Sequence, residues 1–461
     1  MKILKKADPA VKTVLGPQRP GPECARVRLS RHVYCSEKTH VLFHELTRQM
    51  IALNPEEWEQ LEDLKGGIPA AEAAKGFPEW LFSYYYLVPE KTQEAVFYEQ
   101  LRTLMGLTGP SAQGFSSYVI LPTTACNARC VYCYEESFPA ISMDRETAEQ
   151  TLRFILNTRK KGKIRLHWFG GEPLAGTDVI RLISGGLQAA GVSYDSEMIS
   201  NGSLFTEELI REAKASWHLR KVQISLDGEK NEYLKRKCYA AGPEDPYETV
   251  LKNVRSLLEA GIQVSLRCNC DRNNLDSMAV MILELAQRFS PWYEKMAVYF
   301  CPLNEEYTGE DFPGLYAKLM QLTTDCRRLG FRTGIQGFSS SLRRHHCMAD
   351  RPHEQCLIDP KGTLRDCEHL PRSHVLGNVW QGLSEKAVED ALKESRGPRA
   401  ECKDCVFLPE CTPYTGCPLT TGACREINIL RLENVIQELL EKSADEKNRV
   451  NHLQTEAQPL C

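Results

Sequence analysis

Three cysteine thiols stand close together in the chain, at Cys126, Cys130 and Cys133. All three cannot pair as disulfides, but thiolates in this C-x3-C-x2-C spacing can converge on one metal centre from a single loop. Three thiolates on a four-iron cluster leave one iron without a protein ligand, so that iron is open to a substrate or cofactor. The alternative is a structural zinc loop, although zinc prefers a fourth protein ligand. We expect an iron–sulfur site.

The elements around this loop alternate between short apolar runs and amphipathic helical patterns. Six strands are predicted between residues 116 and 302, at 118–122, 164–169, 197–200, 222–226, 264–267 and 296–301. A helical pattern follows each of the first five strands, and β/α units in series favour a parallel sheet that closes wholly or partly into a barrel. The predicted fold class is therefore α/β, with a partial (β/α)6 barrel of the TIM type.

Residues suited to chemistry follow the predicted strand ends. They are the turn 170–173 (Gly-Gly-Glu-Pro), Asn201, Asp227 and Asn269. An α/β barrel carries its active site at the carboxyl ends of its strands. We therefore expect these residues and the cysteine loop to surround one mouth of the barrel.

The flanking segments differ from this core. Residues 1–22 predict a flexible leader, and 23–105 predict a small α+β module resembling a winged helix, with Asn54 capping a helix that starts at Pro55. This module could dock a peptide or act as a structural lid. We expect a linker with a helix at 303–337 and a helix and tail at 426–461. The segment 338–425 is rich in turn formers and cysteines, so it needs metal clusters to hold it together.

Composition limits the classes of function. The 461 residues are 42% hydrophobic and 26% charged, as in globular chains of two to four domains, and the net charge of −4 gives no basic field for nucleic acid. No apolar run is long enough to span a membrane. The first twenty residues lack the apolar core of a secretory signal. Nineteen cysteines without such a signal favour thiolate metal ligation in the cytoplasm over disulfides.

Taken in order, the motifs resemble the radical SAM core over residues 116–302. The matching motifs are the three-cysteine loop with Tyr132 before its last cysteine, the turn 170–173, and the segments 200–202, 223–228 and 264–269. The later cysteines resemble the SPASM domain that follows this core in peptide-modifying members. Cys347-x14-Gly362-x4-Cys367 fits its first half, and Cys402-x2-Cys405-x5-Cys411 fits its second half.

The resemblance implies roles for individual residues. Cys126, Cys130 and Cys133 would hold a [4Fe-4S] cluster that binds S-adenosylmethionine. The residues implied in cofactor binding are Tyr132, Gly170, Gly171, Glu172, Ser200, Asn201, Ser225, Asp227, Arg267 and Asn269. Glycines allow close backbone approach, and Glu172 would supply an anion for the methionine ammonium.

The resemblance also implies two auxiliary [4Fe-4S] clusters. Cys347, Cys367 and Cys417 would bind the first, and Cys402, Cys405, Cys411 and Cys424 the second. Cys356 is the candidate for the missing ligand of the first cluster; otherwise that cluster has an open iron that a substrate thiolate could occupy. The spacing Cys411-x5-Cys417 is two residues longer than the usual pattern. Glu368 stands where sulfatase maturases have an aspartate base, so it is either an acid/base or a solvated carboxylate.

The implied function is that of a radical SAM/SPASM peptide maturase. S-adenosylmethionine is cleaved reductively, and the resulting 5′-deoxyadenosyl radical takes hydrogen from a ribosomally made precursor peptide, giving cysteine thioethers of the sactipeptide or ranthipeptide type. The expected partners are that peptide, whose leader would add a strand to the N-terminal module, and a one-electron reductant such as flavodoxin or ferredoxin. Alternatives are a formylglycine-forming sulfatase-type maturase, a carbon–carbon crosslinking or decarboxylating maturase, and a non-enzymatic iron–sulfur electron carrier or redox sensor.

Overall fold

The structure is a computed structural model of the chain. It describes residues 1–16, 18, 24–107, 114–136, 138–303, 312–333, 342, 348–369, 373–395, 402, 404–409 and 424–456. Its strands are β1 (Lys2–Lys5), β2 (Arg26–Leu29), β3 (Val33–Ser36), β4 (Val41–His44), β5 (Gln49–Ala52), β6 (Ile68–Pro69), β7 (Leu87–Pro89), β8 (Ser117–Thr123), β9 (Ile164–Gly170), β10 (Tyr194–Ser200), β11 (Leu219–Ser225), β12 (Gln263–Cys270), β13 (Met296–Pro302), β14 (Arg332–Thr333), β15 (Gln355–Ile358), β16 (Thr363–Arg365), β17 (Val375–Asn378) and β18 (Gly382–Leu383). Its helices are α1 (Pro9–Leu15), α2 (Pro55–Lys65), α3 (Gly76–Ser83), α4 (Glu94–Leu107), α5 (Arg145–Thr158), α6 (Thr177–Ala189), α7 (Glu207–Ala215), α8 (Lys230–Lys237), α9 (Pro246–Glu259), α10 (Leu275–Phe289), α11 (Phe312–Arg328), α12 (Glu385–Ser395) and α13 (Cys424–Glu456).

The largest described sheet has the order β14-β13-β12-β11-β10-β9-β8-β15-β16-β17-β18. Neighbouring strands from β14 to β15 are parallel, and β15 to β18 form an antiparallel extension. The predicted α/β class with a large parallel sheet is confirmed, and the six predicted strands are β8 to β13. Because β15 pairs with β8, the first part of the C-terminal segment extends the sheet of the core.

Side chains alternate across this sheet, as the two-residue period of a strand requires. Trp168, Ile224 and Leu266 are fully buried in the main hydrophobic core with residues of the surrounding helices. Their polar neighbours His167 and Gln223 point to the other face, where they help to line a cavity of about 180 Å³. The alternation therefore turns one set of apolar side chains toward the helices and a mixed set, polar and apolar, toward the cavity.

The N-terminal part contains an antiparallel sheet of order β1-β5-β4-β3 and a second sheet of order β6-β2-β7. Asn54 and Glu57 form a reciprocal capping box at α2, with Pro55 in its first turn. One face of the first sheet packs on α2 and α3. Its other face, through Phe43 and Met50, packs on α13.

The structure bears on two sequence expectations at the chain ends. The leader expected at 1–22 is ordered at its start, because Ile3 pairs with Ile51 across β1 and β5 and Asp8 caps α1. The short polar segment gave no apolar signal of its own, since its order depends on a distant strand. At the other end, where a helix and tail are expected over 426–461, α13 continues to Glu456. Among the described residues, no helix is both long and apolar enough to cross a bilayer.

Candidate active site

The cysteine loop follows β8 and keeps its three thiols close together. Cys126, Cys130 and Cys133 are half-buried and form no disulfide. Burial, with smaller contributions from the charges of Glu172 and of the other two thiols, raises the pKa of Cys126 to about 11. The amide of Asn201 lies 3.9 Å from the Cys126 sulfur. The loop therefore presents three mutually close thiols beside the end of β10.

These thiols fit a cluster of several irons. Zinc ligands must converge on one ion at about 2.3 Å for sulfur, whereas the thiolates of a four-iron cluster bind separate irons. Among the described residues, no three His, Cys, Asp or Glu side chains are grouped to hold a single ion. The loop thiols lie near one another but are not grouped around a single ion, an arrangement compatible with the separate irons of an iron–sulfur cluster.

The glycine turn after β9 packs directly on the start of the cysteine loop. Gly170 has a φ of +113°, and a Cβ there would clash with the carbonyl oxygen of Thr123. A Cβ on Gly171 would clash with the carbonyl oxygens of Thr124 and Ala125. The two glycines are thus required for close packing of the turn on the backbone of the cysteine loop, in addition to any approach to a cofactor.

Glu172 is buried where β9 and β10 end. Its carboxylate accepts hydrogen bonds from Ser200 Oγ at 2.9 Å, from the Asn201 backbone N–H at 2.8 Å and from the Leu174 N–H at 3.2 Å. Burial raises its pKa to about 7, although these donors oppose the shift. Glu172 therefore ties two strand ends together, a use that the sequence did not predict. Its contact with the methionine ammonium stays a prediction.

Tyr132 reaches from the cysteine loop into a buried polar network. Its hydroxyl donates to the carboxylate of Asp227 and accepts from Lys237 Nζ at 2.7 Å and from Asn269 Nδ2 at 3.2 Å. Lys237 Nζ also donates to Ser225 Oγ at 2.7 Å and lies 2.9 Å from Asp227 Oδ2. The network thus brings together four residues that were predicted to bind the cofactor, namely Tyr132, Ser225, Asp227 and Asn269. Lys237 was missed, because a basic run such as 235–237 is ordinarily a solvated helix face.

Arg267 and Asn269 lie on the inward face at the end of β12. Arg267 Nε donates to Asn269 Oδ1 at 3.0 Å, and its Nη2 lies 3.2 Å from the Cys301 sulfur. The Asn269 N–H donates to Asp227 Oδ1 at 3.0 Å. The guanidinium thus stands beside the network around Tyr132. Its predicted contact with a carboxylate of the cofactor stays a prediction.

Glu368 faces the barrel cavity from the segment after β16. Its side chain is exposed to solvent through the cavity that it helps to line. Burial raises the pKa of Glu368, and nearby Arg267 opposes the shift. Burial and the charge of Glu368 raise the pKa of Glu135 to about 7. Glu368, the predicted acid/base, thus has the carboxyl group of Glu135 as a neighbour.

The cysteine loop also contacts the segment that begins at Cys367. The ring of Tyr134 stacks on His369, with centroids 4.8 Å apart and planes tilted by 14°. The His369 N–H donates to the Cys367 sulfur at 3.4 Å. One stacked contact therefore joins the first cysteine site to a candidate ligand of the first auxiliary cluster.

The position of Cys356 in the fold does not favour the prediction that it is a cluster ligand. Cys356 lies in β15 beside Tyr118, completely buried in the main core. The next residue, Leu357, packs with Val119 and Leu121 in a separate cluster on the other face of the sheet. The Cys356 thiol therefore faces the helices and not the cavity, and burial in apolar surroundings raises its pKa. Spacing alone did not reveal this, because the face of a short strand depends on its register.

The remaining predicted ligands are described only in part. Cys402 and Cys405 lie in one turn, where the Cys405 N–H donates to the Cys402 carbonyl at 3.0 Å. Cys347, Cys411, Cys417 and the thiol of Cys424 lie outside the described residues. The ligand sets of both auxiliary clusters stay predictions.

Comparisons with known proteins agree with this geometry. Residues 120–286 match the Radical SAM superfamily. The chain is 23% identical over 317 residues to the PqqA peptide cyclase of Bradyrhizobium diazoefficiens, covering 62% of this chain and 77% of that protein. It is 34% identical over 107 residues to the GTP 3′,8-cyclase of Lactiplantibacillus plantarum, covering 23% of this chain and 31% of that protein. A match to an uncharacterised protein of Methanocaldococcus jannaschii, 28% identical over 119 residues, covers 25% of this chain and 40% of that protein.

A solved structure, the anaerobic sulfatase maturase anSMEcpe with bound AdoMet, shares the fold. The TM-score is 0.55 at 19% identity, and the match covers 71% of this chain and 99% of that one. The same protein has been solved with AdoMet and a peptide, and that structure matches equally well. Members of the radical SAM superfamily use S-adenosylmethionine and a [4Fe-4S] cluster. Residues 120–286 of this chain thus form a radical SAM domain.

Proposed function

We propose that this chain is a radical SAM peptide maturase that forms cysteine thioethers in a ribosomally made precursor peptide. The observation that carries the proposal is the stack of Tyr134 on His369, which brings the cysteine loop against the segment of Cys367. Cys133 precedes Tyr134 in the chain, and Cys367 is followed by Glu368, which lines the barrel cavity. A substrate that reaches this contact from the cavity would meet both the first cysteine site and the segment that resembles a SPASM domain.

The residues at the barrel mouth suit the two cofactors. Cys126, Cys130 and Cys133 would hold the cluster, and Arg267 is placed to meet a carboxylate. When bound, the cluster and S-adenosylmethionine supply the one-electron chemistry that produces a 5′-deoxyadenosyl radical. The protein's own part is to orient the bound groups and to keep water away, and the buried network around Tyr132 and Asp227 is suited to both.

Glu368 is the proposed acid/base. A thioether forms when a substrate thiol loses its proton and its sulfur bonds to a substrate carbon that has lost hydrogen. Because the pKa of Glu368 is raised, its carboxylate is a better proton acceptor than that of an ordinary glutamate. The neighbouring Glu135, whose pKa is about 7, could pass that proton toward the protein surface.

The auxiliary clusters belong to the proposal. They would accept the remaining electron of each crosslink, and the first would lack a fourth protein thiolate, because Cys356 faces the core. The open iron would bind the substrate thiolate. Electrons would come from flavodoxin or ferredoxin. Low-potential clusters are suited to the reducing cytoplasm, and we place the protein there.

The N-terminal module is proposed to dock the leader of the precursor peptide. It has an open groove of about 610 Å³ beside α1 and α3, lined by Leu15, Trp80, Tyr84 and Tyr85, with Lys12 and Glu79 also in its wall. Aromatic side chains offer large contact areas at low entropic cost. The names of a peptide cyclase and of a peptide-bound maturase among the similar proteins support a peptide substrate.

A sulfatase-type maturase is the second candidate. The match covers 99% of the anaerobic sulfatase maturase chain, and Glu368 takes the place of its aspartate. The two candidates differ in their products. Anaerobic incubation of the reconstituted chain with a cysteine-rich peptide encoded beside its gene should remove two hydrogen atoms per crosslink and consume one thiol. Formation of an aldehyde on a sulfatase-derived peptide, without any crosslink in the first peptide, would reject the thioether proposal.

A further inference from the structure

A buried lysine lies directly beneath the cysteine loop. Lys237 is the last residue of α8, and its side chain is 1% exposed, beside an Asp227 side chain that is 0% exposed. Its ammonium has three near neighbours: Asp227 Oδ2 at 2.9 Å, the Tyr132 hydroxyl at 2.7 Å and Ser225 Oγ at 2.7 Å. Every proton of the ammonium thus has an acceptor in the interior of the protein.

The backbone around Lys237 holds the same loop. The Arg129 N–H donates to the carbonyl oxygen of Lys237 at 3.1 Å, and the Val131 N–H donates to that of Arg236 at 3.0 Å. On the other side, the Ala240 N–H donates to the Asn127 carbonyl at 2.9 Å. The end of α8 is therefore held to the cysteine loop by backbone hydrogen bonds, and the Lys237 side chain extends from there to Tyr132.

The charge of Lys237 also acts on the loop. Its ammonium lies 5.3 Å from the centre of the Tyr132 ring, within cation–π range. A buried ion pair is costly to form, and removal of one partner leaves an uncompensated charge. Burial of the Lys237 charge thus lowers the free energy of unfolding, and a role in the site would explain why a lysine is present at this position.

We infer that Lys237 is a positioning residue for the S-adenosylmethionine site: it fixes Tyr132 against Asp227 and supplies the buried positive charge beneath the cysteine loop. The inference rests on the proposed function only in requiring that the loop hold a cluster that binds S-adenosylmethionine. Lys237 itself does not touch the reacting atoms. It acts through Tyr132, which stands between Cys130 and Cys133 in the chain.

The test compares three substitutions in the full chain, each reconstituted anaerobically. Lys237→Met removes the charge and keeps most of the stem, Lys237→Arg restores a cation, and Lys235→Met changes a lysine of the same helix whose side chain is 77% exposed. The readouts are iron per chain, the dissociation constant for S-adenosylmethionine, and the change that this ligand causes in the electron paramagnetic resonance spectrum of the reduced protein. None of them requires turnover.

Lys237→Met should weaken S-adenosylmethionine binding at least tenfold and reduce the spectral change. Lys237→Arg should recover much of both, and Lys235→Met should match the parent. Parental affinity and spectrum in Lys237→Met would overturn the inference. If Lys237→Met does not fold, Lys237→Met/Asp227→Asn removes both charges and decides in the same way: weak binding supports the inference, and parental binding overturns it. A parent with a full iron complement that binds no S-adenosylmethionine would reject the proposed function itself.

Discussion

At the scale of single residues, the site uses buried polar groups whose partners come from distant parts of the chain. Glu172 accepts hydrogen bonds from the end of β10 and from its own turn, and Tyr132 contacts Asp227 just after β11 and residues on β12 and α8. Such groups are expensive to bury without partners. Their protonation and substitution should therefore have measurable effects.

Glu172 should make stability depend on pH. Its pKa of about 7 in the folded chain lies above the ordinary 4.5, so the folded state favours the protonated form. The stabilisation is complete below pH 4.5 and is lost as the pH rises through 7, by roughly 3 kcal/mol at most. Thermal unfolding midpoints should fall less between about pH 5 and about pH 8 in Glu172→Gln than in the parent. The exposed Glu146→Gln is the control, and equal pH dependence in all three would contradict the assignment.

Glu368 should affect the product step and not the cleavage of S-adenosylmethionine. In Glu368→Gln we expect peptide crosslinking to slow by roughly 10²-fold, the usual contribution of a positioned acid/base, with 5′-deoxyadenosine still formed. Glu389, exposed on α12, supplies the control substitution Glu389→Gln. Quantitative chromatography of both products separates the steps. Equal losses in both products would show that Glu368 does something other than accept a substrate proton.

Cys356 should be dispensable for the clusters. Its thiol lies among apolar side chains on the helix side of β15, so Cys356→Ala should leave the iron content unchanged after reconstitution. The small cavity should lower the unfolding midpoint slightly, because a buried sulfur is lost. Cys367→Ala is the comparison that should lose iron. Loss of about one cluster in Cys356→Ala would restore it as a ligand.

At the scale of elements, the carboxyl ends of β8 and β9 form one unit with the cysteine loop. Gly171→Ala would place a Cβ against the carbonyl oxygens of Thr124 and Ala125, so the loop must shift. We expect a large loss of cluster iron with the far-ultraviolet circular dichroism preserved. Gly185→Ala is the matched control, because a Cβ there meets nothing within 4 Å in the middle of α6. It should keep its iron and gain up to about 1 kcal/mol of stability. Full iron in Gly171→Ala would refute the tight contact.

The sequence predicted local features well and non-local ones poorly. Short apolar runs located β8 to β13, and the N-cap pattern located α2, because these signals lie within a few residues. The cysteine loop was predicted by its own spacing. The pairing of β1 with β5, the inward turn of Lys237 and the face of Cys356 each depend on a partner many residues away. A lysine in a basic run is usually solvated, so its burial could not be predicted.

At the scale of the whole molecule, the first sheet of the N-terminal part lies between α2 and α3 on one side and α13 on the other. This packing connects the two ends of the chain and leaves the groove next to Trp80 open. A peptide docked there by its leader would be tethered while its core reaches the barrel. The tether would raise the effective concentration of the core at the cavity.

The groove should therefore affect peptide affinity alone. Trp80→Ser removes an aromatic wall, so the KM for the precursor peptide should rise by roughly tenfold, as for a central aromatic contact. Cleavage of S-adenosylmethionine without peptide should stay at the parental rate. Val96→Ser, an exposed apolar residue on α4, is the control. An unchanged KM would favour the structural-lid interpretation of the module.

The most direct test of the central claim is reductive cleavage of S-adenosylmethionine. Anaerobically reconstituted protein with dithionite should form 5′-deoxyadenosine, measured by chromatography, and Cys126→Ala, Cys130→Ala and Cys133→Ala should form none. Cys356→Ala should form as much as the parent, which separates the loop thiols from a buried one. A parent protein with its full iron complement that releases no 5′-deoxyadenosine would contradict the account.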